Sequence, residues 1–133
     1  MARVLALDHG SARCGCAISD PSGTLATPVA AVERPDSKKG LAELARLVEG
    51  QGVERVVVGL PLTLRGEQGE QAEAARAFAQ RLERRLKIPV ELHDERLTTR
   101  LAERTGGAGD EDSRAAAHLL ESYLARTSAG AHT

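Results

Sequence analysis

Aromatic side chains are almost missing. The 133-residue chain has no tryptophan, one phenylalanine, Phe78, and one tyrosine, Tyr123. A base-stacking platform needs two or three exposed rings, so a single-strand binder of that kind is disfavoured. Cysteine is as scarce. Cys14 and Cys16 stand one residue apart, a poor disulfide framework, and a reducing cytoplasm is the expected compartment. No run of about 18 apolar residues is present, so no membrane partner is expected. The apolar stretch from Val4 to Leu7 is too short for a secretory signal. Neither sign of charge dominates: 18 basic residues face 19 acidic ones, for a net charge of -1. Bulk attraction to nucleic acid is thereby excluded, while a local basic face is not. Lysine is rare, with only Lys38, Lys39 and Lys87. Arginine carries the rest of the positive charge, and its planar fork suits phosphate.

The remaining composition is ordinary for a globular chain, with 41% hydrophobic and 28% charged residues. The length suits one domain, expected over residues 1–126, with residues 127–133 as a flexible C-terminal tail. Arg3 to Asp8 reads as a buried strand ending in a carboxylate, followed by the turn His9 to Arg13 and a second strand from Cys14 to Ser19. Thr27 to Glu33 is a third strand, so the chain opens as an antiparallel meander. The period then turns helical at Leu41, Leu44, Ala45 and Val48, and Gly50 and Gly52 stop that helix. Val53 to Val58 is a strand, and a Gly/Thr/Arg loop runs to Gly69. Ala72, Ala75, Ala79, Leu82 and Leu86 mark one face of a long helix, and Ile88 to His93 is a last strand. A short helix is expected from Thr98 or Thr99 through Arg104, then a Gly-rich break over Thr105 to Gly109, then a final helix from Asp112 to Arg126. The order βββαβαβαα makes an α/β fold: a mixed five-stranded sheet, a three-stranded antiparallel meander plus two parallel strands, with helices on both faces. Ligands in such sheets gather beyond the carboxyl ends of the parallel strands.

Three carboxylates from distant parts of the chain fall at that edge. Asp8 ends the first strand, although an Asp there also suits a turn. Asp94 and Glu95 follow the last strand, and alternation allows only one of them to share a face with Asp8; Glu95, the longer, is the candidate. Both also suit the start of a helix. Asp112 opens the last helix on one stripe with Ala116, Leu119 and Tyr123, so it points to the sheet as well as serving as a cap. Asp110 and Glu111 are its rivals. Converging carboxylates repel unless a cation lies between them, and hard oxygen ligands suit Mg²⁺ or Mn²⁺. One or two such ions support phosphodiester hydrolysis. Arg13, Arg65, Arg96, Arg100 and Arg114 flank these positions and suit phosphate binding as a group. Cys14, Cys16 and His9 lack a fourth partner for zinc. No Walker-type phosphate loop and no serine-hydrolase motif is present.

The segments Leu5 to Arg13 with Ala17 to Asp20, Val57 to Leu62 with Gly66, Phe78 to Leu82, Asp94 to Thr99, and Asp112 to Ala116 with Leu120, Tyr123 and Leu124 resemble the YqgF/RuvX family of the RNase H-like superfamily. They run in family order from residue 3 to 126. The resemblance implies an RNase H-like fold and a divalent-metal nuclease that matures the 5′ end of pre-16S ribosomal RNA, with Holliday-junction resolution as the other assigned activity. It places Asp8, Glu95 and Asp112 at the metal-binding acid positions and Arg13 and Arg96 at basic ones. The implied partners are structured RNA, branched DNA and ribosomal precursor particles, with the chain a monomer or a homodimer. Departures stand at His9 and Ser11, and at the short Gly-rich stretch where relatives carry a lysine-rich loop. A nucleic-acid-binding module without catalysis is the second reading. A third, a sugar-kinase or actin-like ATPase, needs two lobes, and a chain with a radius of gyration of about 14 Å has room for one.

Overall fold

The computed structural model describes residues 3–10, 12–23, 25–61, 69–94 and 111–131, with the side chains of the last segment described from 113 to 127. Strand β1 (Arg3–His9) pairs antiparallel with β2 (Arg13–Ser19), Leu5 opposite Ile18 and Asp8 opposite Gly15. A Cβ on Gly10 would lie 2.7 Å from the Arg13 carbonyl oxygen, so the turn between them requires glycine. β2 pairs antiparallel with β3 (Ala26–Glu33), with a register shift between Cys14 and Cys16.

Helix α1 (Lys38–Gln51) starts at Ser37, whose hydroxyl accepts from the Gly40 N–H at 3.0 Å. It ends at Gly52, left-handed at φ 64°, whose N–H turns back to the Glu49 and Val48 carbonyls. Gly50, read with Gly52 as a stop, lies inside the helix. Strand β4 (Val53–Leu60) runs parallel to β1. Helix α2 (Glu70–Leu86) has Glu70 and Glu73 in its first turn and Arg84 and Arg85 in its last, matching the helix dipole. Strand β5 (Val90–Asp94) runs parallel to β4 and begins later than the sequence suggests. Pro89 has no N–H to give the ladder; its carbonyl accepts from Val56 N–H at 3.0 Å. Helix α3 (Glu111–Ala131) continues past the expected end at Arg126, and the Thr127 hydroxyl folds back onto the Tyr123 carbonyl at 3.1 Å. The expected helix through Arg104 and the break before Asp110 lie outside the described residues.

The strand order is β3-β2-β1-β4-β5. One face packs on α1 and α2 through Leu5, Leu7, Val56, Val58, Leu44 and Phe78. The other packs on α3 through Val4, Ala6, Ala17, Val57, Leu119 and Leu120. Helices therefore cover both faces, as the alternating pattern requires. Among the described residues, no helix is long and apolar enough to cross a membrane.

Candidate active site

β1 is apolar from Val4 to Leu7 and then reaches Asp8. Leu5 and Leu7 belong to the α1/α2 core, and Val4 and Ala6 to the α3 core. Alternation therefore places Asp8 on the α3 face, where it is half-buried. His9 alternates back. Its ring stacks on Phe78 with centroids 4.4 Å apart, and its Nε2 lies 2.8 Å from Asp36 Oδ2. Asp36 in turn stands 3.6 Å from the Arg81 guanidinium. The end of β1 is thus held from behind by an imidazole–carboxylate–guanidinium chain that sequence reasoning did not find.

On the α3 face, Asp8 has a glycine on each side. Gly15 is its partner in β2. Leu7 is in register with Val58, so Gly59 follows beside Asp8, and Gly59 pairs with His93 of β5. The row across the sheet reads Gly15, Asp8, Gly59, His93. The two buried glycines add no side chain beside the carboxylate. A glycine inside a strand pattern marks close approach of another group, and that was the available signal.

The start of α3 is fixed against this row by Ser113, which is 1% exposed. Its hydroxyl donates to the Val29 carbonyl at 2.6 Å and accepts from the Cys16 N–H at 3.3 Å. These partners sit where the β2–β3 ladder shifts register, so the hydroxyl satisfies groups that the ladder leaves. Cys16 is opposite Leu7. The first turn of α3, which holds Asp112 and Arg114, therefore lies over the strand pair beside Gly15 and Asp8. Arg114 is half-buried, and Arg13 is exposed at the start of β2. The side chains of Asp112 and Glu111, and the whole of Glu95, Asp110, Arg65, Arg96 and Arg100, lie outside the described residues.

His93 packs onto α3, edge-on to Tyr123 at 5.8 Å, with Nε2 3.1 Å from the Ser122 hydroxyl. Burial, and then the charge of Arg126, push its pKa down. With His93 on the α3 face, Asp94, in register with Leu60, takes the α1/α2 face. The far end of α3 is held by Tyr123, whose hydroxyl donates to Glu91 Oε2 at 2.6 Å and accepts from Arg55 at 3.1 Å.

Cys14 and Cys16 are buried in the α1/α2 core, on the face away from Asp8. The hydrogen bond to Cys16, then burial, hold the Cys14 thiol well above its ordinary pKa. Zinc needs thiolate, and the His9 ring is engaged by Asp36, so this trio does not fit a zinc site. Among the described residues, no group of three or more His, Cys, Asp or Glu is placed to hold a metal.

A family model described as "RuvX: Holliday junction resolvase" matches residues 2–126. The chain is 49% identical over 100 residues to a protein of Chloroflexus aurantiacus named "Putative pre-16S rRNA nuclease", covering 75% of this chain and 65% of that protein. The chain thus spans just under two thirds of that relative. A Moorella thermoacetica protein of the same name is 41% identical over 133 residues, covering 93% of this chain and 95% of the relative. Among solved structures, T. thermophilus RuvC in complex with a Holliday junction substrate superposes with a TM-score of 0.63 at 15% identity, covering 96% of this chain and 97% of that one. At that identity the likeness is one of fold, the RNase H-like fold.

Proposed function

The chain belongs to the RuvX family, and from that premise we propose that it is a divalent-metal-dependent nuclease acting on structured RNA in the 5′-end processing of pre-16S ribosomal RNA, in the cytoplasm. The observation that carries this reading is the row Gly15, Asp8, Gly59 beneath the anchored first turn of α3. It gives a carboxylate at the carboxyl end of a central strand, with neighbours that add no bulk. Asp94 turns to the other face, so the reading takes Glu95, the next residue after β5, as the second acid and Asp112 as the third. The donor set is carboxylate throughout, which fits Mg²⁺ or Mn²⁺ and suits neither a thiolate nor an imidazole metal. Asp8, Glu95 and Asp112 would hold such an ion. When bound, it supplies Lewis-acid activation of water and charge neutralisation at the phosphate.

The protein's own contribution is placement. The His9–Asp36–Arg81 chain and the Ser113 anchor fix the two elements that bear Asp8 and Asp112. Arg13 and Arg114 stand at the same end of the sheet and, with Arg65, Arg96 and Arg100, would orient phosphates without reading bases. Cleavage of branched DNA is the second reading, favoured by the family description.

The test is incubation of a 5′-extended 16S precursor fragment and a four-way DNA junction with the protein and Mn²⁺, Mg²⁺ or EDTA. Metal-dependent cutting of the precursor in preference to the junction supports the proposal. Preference for the junction replaces it with the resolvase reading. Binding of both without cutting either overturns the nuclease and leaves a non-catalytic module.

A further inference from the structure

The last two residues of β1 serve opposite faces of the sheet: Asp8 faces α3, and His9 faces a knot of chain built from residues 34–40. In that knot, the Arg34 N–H donates to the Ala12 carbonyl at 2.9 Å, and the Ser37 hydroxyl donates to the Arg34 carbonyl at 2.7 Å. Gly40 lies so close to the Arg34 carbonyl and Pro35 that a side chain there would collide with them. Arg81 of α2 reaches across to donate to the Asp36 carbonyl at 3.3 Å. Arg34, Lys38, Lys39 and Arg81 are all exposed, and they come from the β3–α1 link, the first turn of α1 and the middle of α2. The one carboxylate of the stretch 34–39, Asp36, is engaged by His9 and Arg81. Arg13, close by, lines a shallow groove with Glu33 and Glu43 and is left with the arginines of the Asp8 site.

Arg81 serves the fold through Asp36, but folding does not explain the charge of Arg34, Lys38 and Lys39. The first turn of α1 holds two lysines and no acid, the reverse of what the positive end of a helix dipole favours. Two of the three lysines of the chain stand here side by side. Positive charge kept at a cost to the helix, in a protein of net charge -1, indicates a use outside the fold.

We propose that Arg34, Lys38, Lys39 and Arg81 form a ridge that binds the phosphate backbone of a helical nucleic acid, away from the point of cleavage. The inference rests on the nucleic-acid reading of the Asp8 site and extends it: one duplex arm would lie against the ridge while the strand to be cut enters on the α3 face. Contacts of this kind position the substrate without reading sequence.

The test is fluorescence anisotropy of labelled RNA and DNA duplexes of about 20 base pairs in EDTA, titrated between about 50 and 200 mM salt. The variant Lys38→Gln/Lys39→Gln is compared with Lys87→Gln/Arg126→Gln, which makes the same charge change at the opposite end of the sheet. Each lost phosphate contact lowers the slope of log K against log salt by roughly 0.9 on B-DNA. The ridge variant is expected to lose roughly 1 to 2 units of slope and about tenfold in affinity, and the control to keep the wild-type slope. Thermal unfolding is run alongside, and the ridge variant should melt no lower than wild type. A wild-type slope in the ridge variant, or an equal loss in the control, overturns the ridge and leaves the nuclease reading standing. A wild-type protein that binds neither duplex overturns both.

Discussion

Removing one oxygen atom at the start of α3 is a stringent perturbation of this architecture. In Ser113→Ala the Cys16 N–H and the Val29 carbonyl lose a partner inside the protein, at a residue that is 1% exposed. A buried donor left unsatisfied costs about 1–3 kcal/mol. The Val29 oxygen has a second lone pair and relaxes more easily, so a total near 2 kcal/mol is expected. Unfolding entropy for a chain of this length is roughly 0.28 kcal/mol/K, so Tm should fall by about 7 °C. The assay is thermal unfolding followed by far-UV circular dichroism. Because Asp112 precedes Ser113 in the same turn, metal-dependent cleavage should fall further than the unfolded fraction explains. A Tm within about 2 °C of wild type would refute the anchoring role, because the hydroxyl would then satisfy nothing that matters.

Gly59→Ala puts a methyl group beside Asp8 on the α3 face; cleavage should drop by roughly 100-fold with the far-UV spectrum unchanged, and near wild-type cleavage would show that the glycine row has no part in the site. Gly40→Ala improves helix propensity, yet its Cβ collides with the backbone at Arg34, so Tm should fall, and a rise would contradict the packing described. Tyr123 is the only tyrosine and no tryptophan is present, so alkaline absorbance titration reports on it alone. Burial, and then the bond to Glu91, hold its pKa above the ordinary value near 10, while Arg55 opposes them. The stability this contributes is full below pH 10 and is lost as pH rises through the folded-state value. A midpoint at or below 10, or no downward shift in Glu91→Gln, would count against the bonded position of Tyr123.

Strand periodicity made most of the sheet readable. The apolar run ending at Asp8, the meander and the two later parallel strands follow from alternation and from the helices between them. The limits were harder. Pro89 delays β5 because it lacks an N–H, and Gly50 stays helical because Gly52 provides the left-handed residue that ends α1. The supports of the site were not legible. Ser113 is an ordinary hydroxyl in sequence, and its value comes from a register shift between two strands about a hundred residues earlier in the chain. His9 read as a turn residue until Asp36 and Phe78, distant in sequence, met it in space. The place of Gly15 and Gly59 on either side of Asp8 shows only once β1 is known to lie between β2 and β4.

The central claim is that Asp8 is a metal-holding carboxylate, and Mn²⁺ binding tests it without relying on turnover. Paramagnetic resonance titration of the free ion should show a bound fraction in the wild-type protein. Asp8→Asn should lose at least about tenfold in affinity, as expected when a charged oxygen ligand is removed, with its far-UV spectrum unchanged. Mn²⁺ bound as tightly by Asp8→Asn as by the wild type would contradict the account.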